Sequence, residues 1–203
     1  TMDVVGLDTM QHVVHTMHEQ LQTDPWHDAF QLPAWLNALI EQGHIGQKAG
    51  QGVYRKQGRL IEVYDPELGD YREQKSKVNA DVEAIFKLPD AKERMRQLFK
   101  SKDPQAKFLS ACFRDLFHYC AYHLIDIADT VQAVDLAMRW GFGWQHGPFE
   151  TWQEAGVAWI YDDIQKAVMN GQAMSQAEWS SWITGLDKFY DDVNAVLCHD
   201  GIM

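Results

Sequence analysis

Positive charge is scarce in this sequence. Lys and Arg number 18 against 29 Asp and Glu, a formal net charge of −11. An acidic surface repels phosphate backbones and anionic headgroups, so neither nucleic acid nor a membrane is expected as a partner. No apolar run approaches the ~20 residues that a bilayer-spanning helix needs. The first residues show no basic stretch followed by an apolar one, so no signal peptide is read. Cysteine is the next shortage. Cys112, Cys120 and Cys198 are odd in number and widely spaced, which excludes a disulfide framework and points to a reducing, cytoplasmic compartment. A Gly-x-Ser-x-Gly elbow, a Walker loop and a Cys-x-x-Cys pair are also missing, and the residues alone assemble no catalytic constellation.

Apolar residues are plentiful: 46% of the chain is hydrophobic, with 8 Trp, 9 Phe and 7 Tyr. That is enough for one core or two small linked ones. Met10, Val13, Val14, Met17 and Leu21 place a helix over 8–22, with Asp8 as N-cap and Pro25 just past its end. Pro33 opens a second helix over 33–42, stopped by Gly43. The segments 53–56 and 60–64 flank Gln57-Gly58 and read as a hairpin. Residues 65–69 read as a turn and 73–79 as a polar linker. Helices over 80–87 and 90–101 follow. Asp103-Pro104 then caps and opens the strongest element. Phe108, Leu109, Cys112, Phe113, Leu116, Phe117, Cys120, Leu124 and Ile127 give it a broad apolar stripe. Further helices are expected over 131–140, stopped by Gly141, and over 148–155, 157–170 and 176–184.

Three groups of residues invite a chemical reading. Gly141, Gly143 and Gly147 have the spacing of a dinucleotide loop. Such a loop needs a buried strand before it and a helix N-terminus after it, and the preceding segment is helical in pattern. A helix end and a tight connector opened by Pro148 are the better account. His12, His15 and His18 resemble metal ligands, but steps of three drift by about 60° each round a helix, too far to converge on one ion. Cys112 and Cys120 lie in the apolar stripe and read as buried structural thiols, with His118 and His123 as core or boundary residues. Asp162-Asp163 and Asp191-Asp192 point to different helix faces and read as solvated surface.

Two stretches carry a resemblance. Asp3-Val4-Val5-Gly6-Leu7-Asp8, a helix pair, and Gly46-Gln47-Lys48-Ala49-Gly50-Gln51-Gly52-Val53-Tyr54 resemble the C-terminal domain of the 3-hydroxyacyl-CoA dehydrogenases. Val134-Asp135-Leu136-Ala137-Met138, Gly141-Phe142-Gly143 and Gly147-Pro148-Phe149-Glu150 resemble the earlier half of the same domain. Thr151 to Val157 stands where the family has the segment that begins this chain, an offset of 150 residues. The chain therefore reads as a tandem: 1–56 the back half of a first repeat, 57–102 a hairpin and helical linker, and 103–203 a second, diverged repeat. The fold class expected is mainly α, with two 6-phosphogluconate-dehydrogenase-C-terminal-like helical repeats and a small β-hairpin between them.

The resemblance implies a function that this chain shares rather than performs. In the family an N-terminal Rossmann domain binds NAD and supplies a His–Glu pair, while the helical domain shapes the acyl-CoA cleft and forms a homodimer. The family's Asn on the first long helix would precede residue 1 in copy one. In copy two its position is Ala111, followed by Cys112 where the family has Arg. No residue is therefore assigned a catalytic, cofactor-binding or metal-binding role. The implied partners are the chain's own Rossmann domain, an enoyl-CoA hydratase domain as in bacterial two-part proteins, and the acyl-CoA substrate. A tandem second copy would stand in for the dimer partner. The other reading is a non-enzymatic helical interaction module.

Overall fold

The computed structural model describes residues 2–74 and 77–191, which divide into two compact units, one up to Lys77 and one from Val78 onward. The architecture is mainly α with one small antiparallel sheet. Cys198 and Asp192 lie outside the described residues.

In the first unit a single turn, α1 (Met2–Val5), runs into α2 (Leu7–Gln20). Helix α2 starts at Leu7 and not behind an Asp8 cap. Asp8 sits inside the first turn and its carboxylate accepts from Lys48 Nζ at 2.7 Å. Helix α3 (Ala34–Glu41) is preceded by Pro33 as an extended N-cap, one place before the position expected for it. Gly43, at φ 79°, ends that helix as its sequence implies. The sheet contains β1 (Tyr54–Gln57), β2 (Leu60–Asp65) and β3 (Asp70–Glu73), antiparallel in that order. Gln57 pairs with Leu60, so the two-residue turn is Gly58-Arg59, one place later than read. Gly58 takes φ 61° at its first corner, where a primed turn requires a positive angle.

The third strand is not legible from alternation, because Tyr71 is its one apolar residue. Tyr71 is held from three sides. Its hydroxyl donates to the Gly52 carbonyl at 2.5 Å. Its ring meets Tyr64 edge-on at 5.4 Å, and the Arg55 guanidinium lies 4.2 Å from the ring centre. The core of this unit is Leu7, Leu36, Leu39 and Val53, with Met10, Trp35 and Val63 packed against it.

The second unit contains α4 (Ala80–Phe86), α5 (Ala91–Lys100), α6 (Pro104–Ile127), α7 (Val131–Phe142), α8 (Pro148–Ala155) and α9 (Val157–Met169). Helix α6 opens as expected: Pro104 is in its first turn and the Asp103 carboxylate accepts from Gln105 and Ala106 N–H. Its buried face is Phe117, His118, Cys120, Ala121 and Leu124. Phe117 stacks on Trp152 at 5.1 Å, and Phe149 and Phe189 complete an aromatic cluster. Three members of the expected stripe fall outside it. Phe108 is 68% and Ile127 64% exposed, and Cys112 is exposed too. Phe108 and Cys112 lie more than about 130° round the helix from Phe117, and Ile127 is the last residue of α6.

Helix α7 runs past Gly141 to Phe142 and is closed by Gly143 in the left-handed region. The expected helix over 176–184 is only a 3-10 turn at Ser181–Ile183. Its apolar residues are fixed from outside instead: Trp182 Nε1 donates to the Ala121 carbonyl and the Ser180 hydroxyl to that of Tyr122.

One local construction occurs in both units. Gly6 (φ 112°, ψ 132°) joins α1 to α2, and Gly156 (φ 105°, ψ 109°) joins α8 to α9. Gly6 N–H donates to Met2 O at 2.8 Å and Gly156 N–H to Trp152 O at 2.9 Å, the same bond 150 residues later. Asp3 and Gln153, also 150 residues apart, each hold a Tyr and its preceding residue. The Asp3 carboxylate accepts from Val53 and Tyr54 N–H at 3.0 and 2.7 Å. Gln153 Oε1 accepts from Phe189 and Tyr190 N–H at 2.5 and 2.7 Å.

Candidate functional site

The glycine motifs cradle carboxylates of the chain itself. A Cβ on Gly52 would lie 2.7 Å from Asp3 Oδ1, and one on Gly46 would lie 2.4 Å from the Asp3 carbonyl oxygen. Asp3 is buried there and bridges the start of the chain to the first strand. The second unit repeats the device with Asp135, 1% exposed. Its carboxylate accepts from Phe149 and Glu150 N–H at 2.8 and 3.0 Å, capping α8 from outside the helix. The Tyr190 hydroxyl donates to the same carboxylate. Burial pushes the Asp135 carboxyl up to about 6, against the pull of those three donors, and burial likewise raises the Tyr190 phenol.

The last glycine of the Gly141-x-Gly143-x-x-x-Gly147 segment is packed against Asp135. The segment follows a helix, and a Cβ on Gly147 would lie 2.3 Å from Asp135. The described strands are antiparallel throughout, whereas a dinucleotide site is built on a parallel strand, a glycine loop and a helix. Among the described residues no unit of parallel strand, glycine loop and helix occurs.

The histidines that drew attention in the sequence line a concavity of the first unit. This open groove of about 630 Å³ is walled by Asp8, Gln11, His12, His15 and His18 of α2 and by Phe30, Leu32 and Asn37 opposite. They do not converge on a point. His15 Nε2 lies 3.1 Å from Glu19, and His18 stacks on His27 at 4.1 Å. No group of three or more His, Cys, Asp or Glu side chains suited to a metal occurs among the described residues. What the groove offers is hydrogen bonding above an apolar floor. Gln11 Nε2 donates to Asn37 Oδ1 at 3.0 Å, and the enclosed Asp8 Oδ1 and His18 Nδ1 have no hydrogen-bond partner.

In the second unit a smaller cavity of about 340 Å³ has Phe86, Met95, Leu98 and Phe113 as its floor, and Arg94, His146 and Glu154 at its rim. His146 Nδ1 is 3.0 Å from Glu154. Cys120 is buried and its thiol is pushed up to about 12 by that burial, so it is not a nucleophile. His118 is buried as read, with Nε2 against the Ala177 carbonyl at 3.0 Å and its pKa lowered by burial. Asp162 and Asp163 are exposed, as their adjacency implies. Sequence reasoning passed over the structural roles of Asp3, Asp135 and Gln153. The available signal was an acidic or amide residue standing in each motif that also supplies a glycine.

The family model described as 3-hydroxyacyl-CoA dehydrogenase, C-terminal domain, matches residues 1–56. A Bacillus subtilis (strain 168) protein named "Probable 3-hydroxyacyl-CoA dehydrogenase" is 38% identical over 157 residues, covering 77% of this chain and 20% of that protein. Proteins of Rickettsia felis and Rickettsia prowazekii, each named "Putative fatty acid oxidation complex trifunctional enzyme", are 22% and 23% identical, covering 73% of this chain and 20% of each of them. The chain thus spans about a fifth of the length of the curated relatives it matches. No solved structure matches it. Residues 1–56 match the C-terminal-domain family of the 3-hydroxyacyl-CoA dehydrogenases, and the chain is similar over most of its length to a bacterial protein named as one.

Proposed function

We propose that this chain is the helical C-terminal part of an NAD-dependent (3S)-3-hydroxyacyl-CoA dehydrogenase of fatty-acid β-oxidation. The observation that carries the reading is the 38% identity to the Bacillus subtilis relative over 77% of this chain. In this reading NAD and the proton-abstracting pair belong to a Rossmann domain elsewhere in the parent polypeptide, and the chain alone is inactive. The residues here shape the acyl-CoA cleft. The second unit is a diverged copy of the first that takes the place of a dimer partner, and an enoyl-CoA hydratase domain accompanies them in the parent. The repeated Gly6 and Gly156 corners and the matched Asp3 and Gln153 bonds support the tandem part of this account.

A full-length parent enzyme and a version lacking this segment test the reading. Turnover of 3-hydroxyacyl-CoA with NAD, followed at 340 nm, should be lost in the shortened protein although its NADH binding survives. Undiminished turnover would overturn it.

The interaction-module reading has one observation in its favour. Trp140 and Phe142, at the end of α7, are 78% and 73% exposed, and neighbouring exposed aromatics suit contact with a protein partner.

A further inference from the structure

Helix α5 packs on α4, α6 and α8. Ala91, Arg94, Met95 and Leu98 share one of its faces, at steps of i, i+3, i+4 and i+7. Met95 and Leu98 are buried, at 8% and 2% exposure. An amphipathic helix ordinarily carries an apolar residue where Arg94 stands. Arg94 is half-buried, and its Nη1 donates to the Leu88 carbonyl at 2.8 Å. Among the described residues no carboxylate pairs with it, so its charge and most of the donors of its guanidinium fork are unmatched.

The space beside that charge is the cavity of about 340 Å³ in the second unit. It exists because Ala91 of α5 and Ala155 of α8, which line it, have side chains too short to fill it. Its other polar side chains are largely engaged. The Thr151 hydroxyl donates to the Gly147 carbonyl at 2.8 Å, and His146 Nδ1 is 3.0 Å from Glu154. Among the described lining residues there is no thiol and no free hydroxyl, so the cavity is suited to binding and not to nucleophilic chemistry. A cation at the edge of an apolar cavity, near the small end of the ~300–1,000 Å³ range of ligand sites, selects a small amphipathic anion. A carboxylate matches the guanidinium fork with two parallel bonds. One guanidinium balances one negative charge, which favours a carboxylate over a phosphate ester of charge about −2.

We propose that this cavity binds a monocarboxylate with an unbranched apolar chain of about eight to twelve carbons, a length set by the cavity volume at protein packing density. The carboxylate sits on Arg94, and the chain lies over Met95, Leu98, Phe113 and Phe86. The proposal rests on the cavity of the second unit, so it stands or falls independently of the dehydrogenase reading.

Methionine-methyl NMR of the full chain, titrated with sodium decanoate, tests this, because Met95 lines the cavity and reports on it directly. The Met95 resonance is expected to move saturably, with a Kd below about 1 mM. Met10 and Met17 of the first unit, and Met174, 61% exposed in the second, should not move. Decanol has the same chain without the charge and should bind about tenfold more weakly or worse. Arg94→Gln, shown folded by circular dichroism, should weaken decanoate by at least about tenfold. Phe86 is 47% exposed, so Phe86→Asp provides a second variant should Arg94→Gln fail to fold. Its added negative charge should abolish the Met95 response. An unmoved Met95, decanol bound as tightly as decanoate, or a folded variant of unchanged affinity would overturn the proposal. So would equal movement of the methionines in both units, which marks detergent-like adsorption to the whole surface.

Discussion

Asp3 and Asp135 do with carboxylates what Gln153 does with an amide oxygen: each closes two backbone N–H groups that the fold removes from water. Leaving such donors unpaired costs more than the bond itself contributes. Asp3→Ala should therefore lower the urea stability of the first unit by at least about 2 kcal/mol, and Gln153→Ala that of the second by about 1 kcal/mol, since its acceptor is neutral. Midpoints unchanged within error would show the bonds to be incidental. Asp135 adds a pH dependence of definite sign. Its folded pKa of about 6 lies above its ordinary 3.8. Between those values the native state holds more protons than the unfolded chain, so this group's contribution to stability falls as pH rises from about 4 to about 6 and is level above that. Asp135→Asn removes the titration. The difference in urea midpoint between wild type and variant should shift against the wild type across that window, and a constant difference would contradict the assignment. The sequence shows both aspartates within recognisable motifs. It does not show that they are buried, because burial depends on glycines brought in from 43 to 49 positions away (Gly46 and Gly52 against Asp3) and from 12 away (Gly147 against Asp135).

Elements with a regular apolar period and a chemical start signal were legible at the level of the chain. Helix α6 is the clearest case, because Asp103-Pro104 marks its first residue and its stripe persists for six turns. Helix ends were less so. The stop at Gly141 failed because that residue sits inside α7 without strain, while Gly143 is the one in the left-handed conformation. The 176–184 segment has helical spacing but takes its conformation from tertiary bonds to Ala121 and Tyr122, and a segment that short gains little from helix propagation. Strand β3 was invisible for a related reason, since Tyr71 alone anchors it. The turn between β1 and β2 carries its own test. A Cβ on Gly58 would meet nothing within 4 Å, yet its φ is 61°. Gly58→Val should then destabilise the hairpin through the backbone alone, by roughly 1–2 kcal/mol. Amide exchange should quicken over 54–65 while the helical circular dichroism is kept, and unchanged exchange would refute the turn assignment.

At the scale of the whole molecule, two units repeat one corner, and neither offers the described residues for a dinucleotide. In the glycine-rich stretch that most resembles a cofactor loop, Gly147 is packed against Asp135. The chain spans a fifth of its relatives, and its role in the proposed function is to shape and support a reaction carried out on residues of the parent. The most direct measurement is a titration of the isolated chain with NADH, read by nucleotide fluorescence. The account predicts a linear signal with no saturable component. Saturable binding with a Kd in the micromolar range, about −8 kcal/mol of binding free energy, would contradict it, because a nucleotide site would then exist within these residues.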